Sequence, residues 1–266
     1  MFQSPGAVAF TVGIIDIHWY GIIMSLAILS GICVVIFIKN RFFKDISTDL
    51  IFDISFILIV FGILSARIYY VITDYGYFLK YPLEIPAIRH GGISIQGAII
   101  GGVTAGLVYA KKKNINFLRY ADLFSFGLVS GQITGRWGNF FNSEAFGLPC
   151  TLPWKLYIPY NLRPLEYKGS EFFHPAFLYE SLLSILIFVI LYLMLIKCKN
   201  LHDGMIFFSY IILYSTARIF VETIRIDSVL NFYNFHIAHI IGFLFIISAC
   251  IGIFFIKNQQ DNCTRK

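Results

Sequence analysis

Apolar residues run in long stretches almost free of charge, at 21–38, 50–64, 99–110, 176–196, 205–217 and 237–256. A helix rises about 1.5 Å per residue, so about twenty residues cross a hydrocarbon layer about 30 Å thick. Hydrophobic residues make up 58% of the chain and charged ones 14%, against about half and about a quarter in a soluble domain. These blocks exclude a water-soluble globule, a disordered chain and a disulfide-stapled secreted module.

A further span is less obvious, because 118–141 is interrupted by Gly127, Gly131, Gly135, Arg136 and Gly138. Small residues of this kind let membrane helices pack closely. Counting it, the expected fold is all-α and polytopic, with seven transmembrane helices at about 19–38, 50–72, 92–110, 119–140, 175–196, 204–224 and 236–256. The chain reads as one integral membrane domain over 1–266. Connections 73–91 and 141–174 are long enough for a small extracytoplasmic subdomain. The amino end lacks the basic segment and small-residue cleavage site of a removable signal, so the first span is expected to stay. The two halves show no repeat of the transporter kind.

The net charge of +6 could suggest nucleic acid, but the basic residues sort by side. One set of loops holds Lys39, Arg41, Lys44, Lys111, Lys112, Lys113, Arg119, Lys197, Lys199, Lys257, Arg265 and Lys266. The other holds about half as many: Lys80, Arg89, Lys155, Arg163, Lys168 and Arg225. Lys and Arg collect in cytoplasmic loops, which puts the N-terminus outside and the C-terminus inside. The five cysteines, Cys33, Cys150, Cys198, Cys250 and Cys263, have no metal-ligand spacing, and small buried hydrophobes are the expected role for those in apolar blocks.

Charged side chains inside a bilayer cost about 2.5–3.5 kcal/mol on insertion scales and usually mark function. Arg67, Arg136 and Arg218 fall within spans, all in the outer half on this topology. Arg67 equally fits a snorkelling side chain at the interface. Arg218, Glu222 and Arg225 stand at i, i+4, i+7 and form one charged helix stripe. In residues 135–147, reading G-R-W-G-N-F-F-N-S-E-A-F-G, Arg136 and Asn139 share a face, and Asn142 and Glu144 follow the helix end. Two guanidinium groups at headgroup depth suit an anionic phospholipid. His174-Pro175 opens a span; Tyr179-Glu180 one turn on reads either as an interfacial start or as a direct part of a site. His18-Trp19-Tyr20 is open between an aromatic belt and a site, and Gln96 is a neutral polar group one turn into its helix.

Together these residues resemble the bacterial phosphatidylglycerol–prolipoprotein diacylglyceryl transferase family. The run 135–147 is similar to its signature. His18-Trp19-Tyr20, Gly91-Gly92 with the glycines after them, His174-Pro175 with Leu178-Tyr179-Glu180, and Arg218 with Glu222 and Arg225 follow in matching order. The resemblance implies a seven-span enzyme of the bacterial inner membrane with its site toward the periplasm. Such an enzyme moves the diacylglyceryl group of phosphatidylglycerol onto the lipobox cysteine of a preprolipoprotein, and glycerol phosphate leaves. It implies that Arg136 holds the donor phosphate and that Asn139, Glu144 and Gly147 belong to the substrate-binding signature. Arg218 corresponds to a second essential arginine, Glu222 to its acidic partner, and Tyr20 to a functional tyrosine.

One position departs: many members have histidine, proposed as the base for the thiol, where this chain has Gln96. Either the site ionises the thiol electrostatically, which the variability of the position favours, or another group such as His90 substitutes. The partners implied are phosphatidylglycerol, the signal peptide with its lipobox cysteine, and membrane lipids. No nucleic acid, metal or cofactor is implied, and the protein is expected to act as a monomer. The rival readings are an anion transporter and a structural scaffold. Largely apolar inner span halves count against the first, and the clustered signature counts against the second.

Overall fold

A computed structural model describes the backbone of residues 1–88, 91–198, 201–226, 231–232 and 235–264. The elements, in chain order, are β1 (Phe2–Gln3), β2 (Val8–Val12), β3 (Ile15–His18), α1 (Trp19–Phe42), α2 (Thr48–Thr73), α3 (Tyr75–Lys80), α4 (Ile95–Lys113), α5 (Phe117–Asn142), β4 (Leu156–Tyr157), β5 (Phe172–Phe173), α6 (Ala176–Lys197), α7 (Met205–Glu222), β6 (Asn231–Phe232), β7 (Phe235–His236) and α8 (Ile237–Thr264). Five helices are long and apolar enough to cross a membrane: α1, α2, α6, α7 and the Ala238–Asn258 part of α8. The chain is a multi-pass membrane protein. Among the expected spans, α4 and α5 fall below that apolarity. Glycines and three terminal lysines dilute α4, and Asp122, Gln132, Arg136 and several serines dilute α5. His90, Arg89, Lys199, Arg265 and Lys266 lie outside the described residues.

The chain divides into two compact units. The first comprises 1–38 and 121–266. Here α1 and α5 cross where only small residues fit: a Cβ on Gly31 would stand 2.9 Å from the Gly127 carbonyl oxygen, and one on Gly127 would stand 2.7 Å from Val35. With no water to drive them together, membrane helices associate through such close packing and through interhelical hydrogen bonds. Ser30 Oγ supplies the latter, 3.4 Å from both Ser130 Oγ and Thr134 Oγ1. On α5, Asp122 is buried and accepts from the backbone N–H groups of Gly204 and Phe207, at 2.6 and 2.7 Å. It thereby satisfies two of the donors that the start of α7 leaves open. The starts of α5 and α7 thus lie at one end, and both helices run the same way. α7 packs along α6 and α8.

Between α5 and α6 the chain makes a small packed subdomain. β4 pairs with β5 antiparallel and with β1 parallel, setting Leu156 opposite both Phe173 and Phe2. Phe146, Leu156, Ile158, Phe173 and Phe177 form its core, each 5% exposed or less. Burial stabilises each such side chain by about 1.5–3 kcal/mol relative to exposure. Phe177 belongs to the first turn of α6, so this core fixes where α6 begins. Buried Arg163 ties the loop by donating to the carbonyls of Ile158 and Lys168.

The second unit comprises 39–120. α2 and α4 form its spine: Cβ atoms on Gly97 or Gly101 would collide with the α2 backbone at Ser65, Ala66 and Phe61. The α4 helix starts three residues later than expected, because Gly91 and Gly92 take φ of +87° and +75°, which L side chains resist. Arg67 is 7% exposed and does not snorkel. It donates to the carbonyls of Glu84, Ile85, Gly91 and Gly92, at 2.5–2.9 Å, and lies over the Phe78 ring. Elsewhere in this unit, Arg119 donates to Asp45 at 2.7 Å, and that hydrogen bond holds the Asp45 carboxyl below its ordinary range.

Candidate active site

The ends of α5 and α7 and the start of α6 meet around one carboxylate. Glu180, in the first turns of α6 and 6% exposed, takes Arg136 at 2.5 Å on Oε2, and Arg218 and Arg225 at 3.0 and 3.1 Å on Oε1. Arg218 also pairs with Glu222 at 2.7 Å, and Glu222 is 2% exposed. A buried carboxylate alone would cost several kcal/mol, so each acid requires its guanidinium partners. The carboxylates lie deepest. The guanidiniums stay partly open, with Arg136 22% and Arg218 24% exposed. A small cleft between α6 and α7 opens onto Glu180 and Arg218 and continues past Leu183, Ile187, Tyr214 and Ala217.

Polar groups descend from the cluster. Arg136 reaches the Tyr214 hydroxyl at 3.5 Å, Tyr214 stacks on Tyr210, and Tyr210 accepts from Gln132 at 2.7 Å. Asn139 is half-buried on the Arg136 face, and its side-chain amide has no hydrogen-bond partner among the described residues. Tyr20, in the first turn of α1, lays its ring against Gly138, and Arg136 and Glu144 are the charges acting on its hydroxyl. Glu144 is exposed and accepts from Asn142 at 3.3 Å. The residues flanking it, Ser143 and Ala145, are buried with φ of +53°. That left-handed backbone is costly for a residue with a Cβ and persists only where the surroundings enforce it.

Gly147 lies where three segments meet. It donates to the His174 carbonyl at 2.9 Å, and a Cβ there would stand 2.8 Å from Ile224 and 2.9 Å from the His174 Cβ. Its part is to let the loop after α5, the segment at His174 that follows β5 and the end of α7 close on one another. His174 and Tyr179 are joined, Nδ1 to hydroxyl at 3.1 Å, and Trp154 donates to the same hydroxyl at 3.0 Å.

Of the residues given site roles by the resemblance, Tyr20, Arg136, Asn139, Glu144, Gly147, Arg218 and Glu222 belong to the first unit. Gln96 belongs to the second, exposed at the start of α4 and accepting from Ser94 Oγ at 2.5 Å. The central residue, Glu180, was left open between a helix start and a direct role. A carboxylate within an apolar span was the signal, by the same cost that flags the arginines. Tyr214 carried a weaker one, a phenol one turn before Arg218.

A bundle of apolar helices that gathers three guanidiniums, two of them partly open, around a buried carboxylate at its helix ends defines a class: a multi-pass membrane protein with a charged cluster at one end of its helices. Sequence comparison makes the class specific. A profile of the prolipoprotein diacylglyceryl transferase family matches residues 7–255. The chain is 42% identical over 234 residues to the phosphatidylglycerol–prolipoprotein diacylglyceryl transferase of Trichormus variabilis, covering 86% of this chain and 82% of that one. It is 40% identical to the protein of that name from Synechococcus elongatus, with 96% and 89% covered. For the one from Synechocystis it is 38%, with 98% and 93% covered. The chain belongs to the prolipoprotein diacylglyceryl transferase family.

Proposed function

We propose that this enzyme transfers the diacylglyceryl group of phosphatidylglycerol to the lipobox cysteine of preprolipoproteins, the first step of bacterial lipoprotein maturation. The observation that carries the reading is the convergence of Arg136 and Arg218, from two helices, on one buried carboxylate, with both guanidiniums partly open. That is a site for a phosphodiester at lipid-headgroup level. In the full topology all seven long helices cross the inner membrane, with the N-terminus outside. The Arg136 end of α5 and the subdomain at 143–175 then face the periplasm. The enzyme acts as a monomer.

A thiol has an unperturbed pKa near 8.5, and neighbouring arginine charge favours its thiolate. The thiolate sulfur attacks the glycerol carbon that carries the phosphodiester. The C–S bond forms as the C–O bond breaks, and the electron pair leaves with glycerol phosphate. Negative charge grows on the departing phosphate, so Arg136 and Arg218 hold the transition state more tightly than the ground state. The Asn139 amide, which has no hydrogen-bond partner among the described residues, holds a further oxygen of the donor. Tyr20, across Gly138, and Glu144 line the approach, and Glu222 orients Arg218. Gln96 is no base at neutral pH, so the arginine field lowers the thiol pKa and the proton passes to water.

The test is incubation of purified protein with phosphatidylglycerol and a lipobox peptide. Mass spectrometry should find a thioether-linked diacylglyceryl peptide. Arg136→Ala and Arg218→Ala should each lower the rate by about 10²–10³-fold while the protein still inserts. A transporter or scaffold gives no such product.

A further inference from the structure

An arginine cluster built to receive a phosphate has no evident need of a resident carboxylate, yet Glu180 occupies all three guanidiniums at once. It is 6% exposed, and its two oxygens share Arg136, Arg218 and Arg225. Its backbone is fixed: Ala176 and Phe177 are fully buried, and Ser184 Oγ donates to its carbonyl at 2.8 Å. It also lines the cleft that reaches Arg218 and Tyr214. Glu222 already serves Arg218 from within α7, so orienting that arginine does not require Glu180.

The chemistry of the transfer supplies a need. The donor is a phosphodiester with one negative charge. The leaving group is a phosphomonoester, whose second pKa of about 6 gives it a charge of about −1.5 to −2 at neutral pH. In a desolvated site, charge attraction grows steeply. Three guanidiniums balanced by Glu222 but not by Glu180 would therefore hold the product better than the substrate. We infer that Glu180 is a resident anion that sets the charge the cluster will accept, so that the singly charged donor binds and the more highly charged product is let go. This rests on the transfer reading above. Glu180 touches the arginines and acts through them; it is a positioning and specificity-determining residue.

The experiment compares two probes, glycerol phosphate (the monoester) and glycerophosphoglycerol (the deacylated diester), as inhibitors of transfer. Their binding to purified protein is also followed by phosphorus NMR, which needs no turnover. Glu180→Gln keeps the shape and removes the charge. It should tighten the monoester about tenfold relative to the diester, and Glu180→Asp should keep the native ratio. Arg225→Gln should move the ratio the opposite way, which secures the test should Glu180→Gln not fold. A ratio unmoved in Glu180→Gln, or in Arg225→Gln where that variant must stand alone, reduces Glu180 to a structural tie and overturns the inference. Absence of thioether product from the unmodified enzyme would instead overturn the transfer reading.

Discussion

Arg67 and Arg136 are both guanidiniums near the end of a long helix, and their partners separate their roles. Arg67 commits its donors to four backbone carbonyls between Glu84 and Gly92 and keeps almost no exposed surface. Arg136 meets a carboxylate and a phenol and stays partly open. Arg67→Leu should therefore act on stability. A hydrogen bond from a charged donor contributes about 1.5–3 kcal/mol, so losing these should lower the thermal unfolding temperature in detergent and raise proteolysis near residues 84–92. Among the described residues, Gln96→Ala loses the Ser94 contact at an exposed position. Its transfer rate should stay within about tenfold of the unmodified enzyme, well short of the loss expected from removing an arginine that meets the charge. A loss as deep as that of Arg136→Ala would give this position the role assigned here to the arginine field.

At the scale of elements, glycines decide how helices meet. A branched side chain at Gly31 would drive into the Gly127 carbonyl, and nothing flexible stands there to yield. Gly31→Leu should separate α1 from α5, lower the unfolding temperature, and reduce transfer by displacing Tyr20 from Gly138; Gly21→Leu, where the neighbourhood is open, is the control. Apolar length and glycine spacing made most helices legible in the sequence, to within a few residues. α4 started late because the left-handed backbone at Gly91 and Gly92 depends on the carbonyls that Arg67 collects, a tertiary contact with no local signature. Arg136 and Arg218 were legible for the related reason that charge in an apolar span is expensive. Glu180 was half-hidden because an acid one turn into a helix also reads as an ordinary helix start. Only the folded chain brings three arginines, distant in sequence, to its two oxygens.

For the whole molecule, the sorting of basic residues sets an orientation that chemistry can check. Single cysteines at Ile14 and Leu165, both strongly exposed, should react with an impermeant maleimide added to whole spheroplasts. A cysteine at Lys113 should react only after the membrane is opened. Reaction of the Lys113 cysteine from outside, with those at Ile14 and Leu165 protected until the membrane is opened, would invert the topology and move the arginine site to the wrong leaflet. Orientation also bears on assembly. Phe2 pairs with Leu156 across a parallel strand contact, so the first strand emerges from the ribosome long before its partner exists. At about 5–20 residues per second the wait is on the order of ten seconds. Closure of that sheet is thus a late event in biogenesis, and the seat of α6, with Glu180 on its first turns, is finished only when the oldest and newest strands of the small subdomain have found each other.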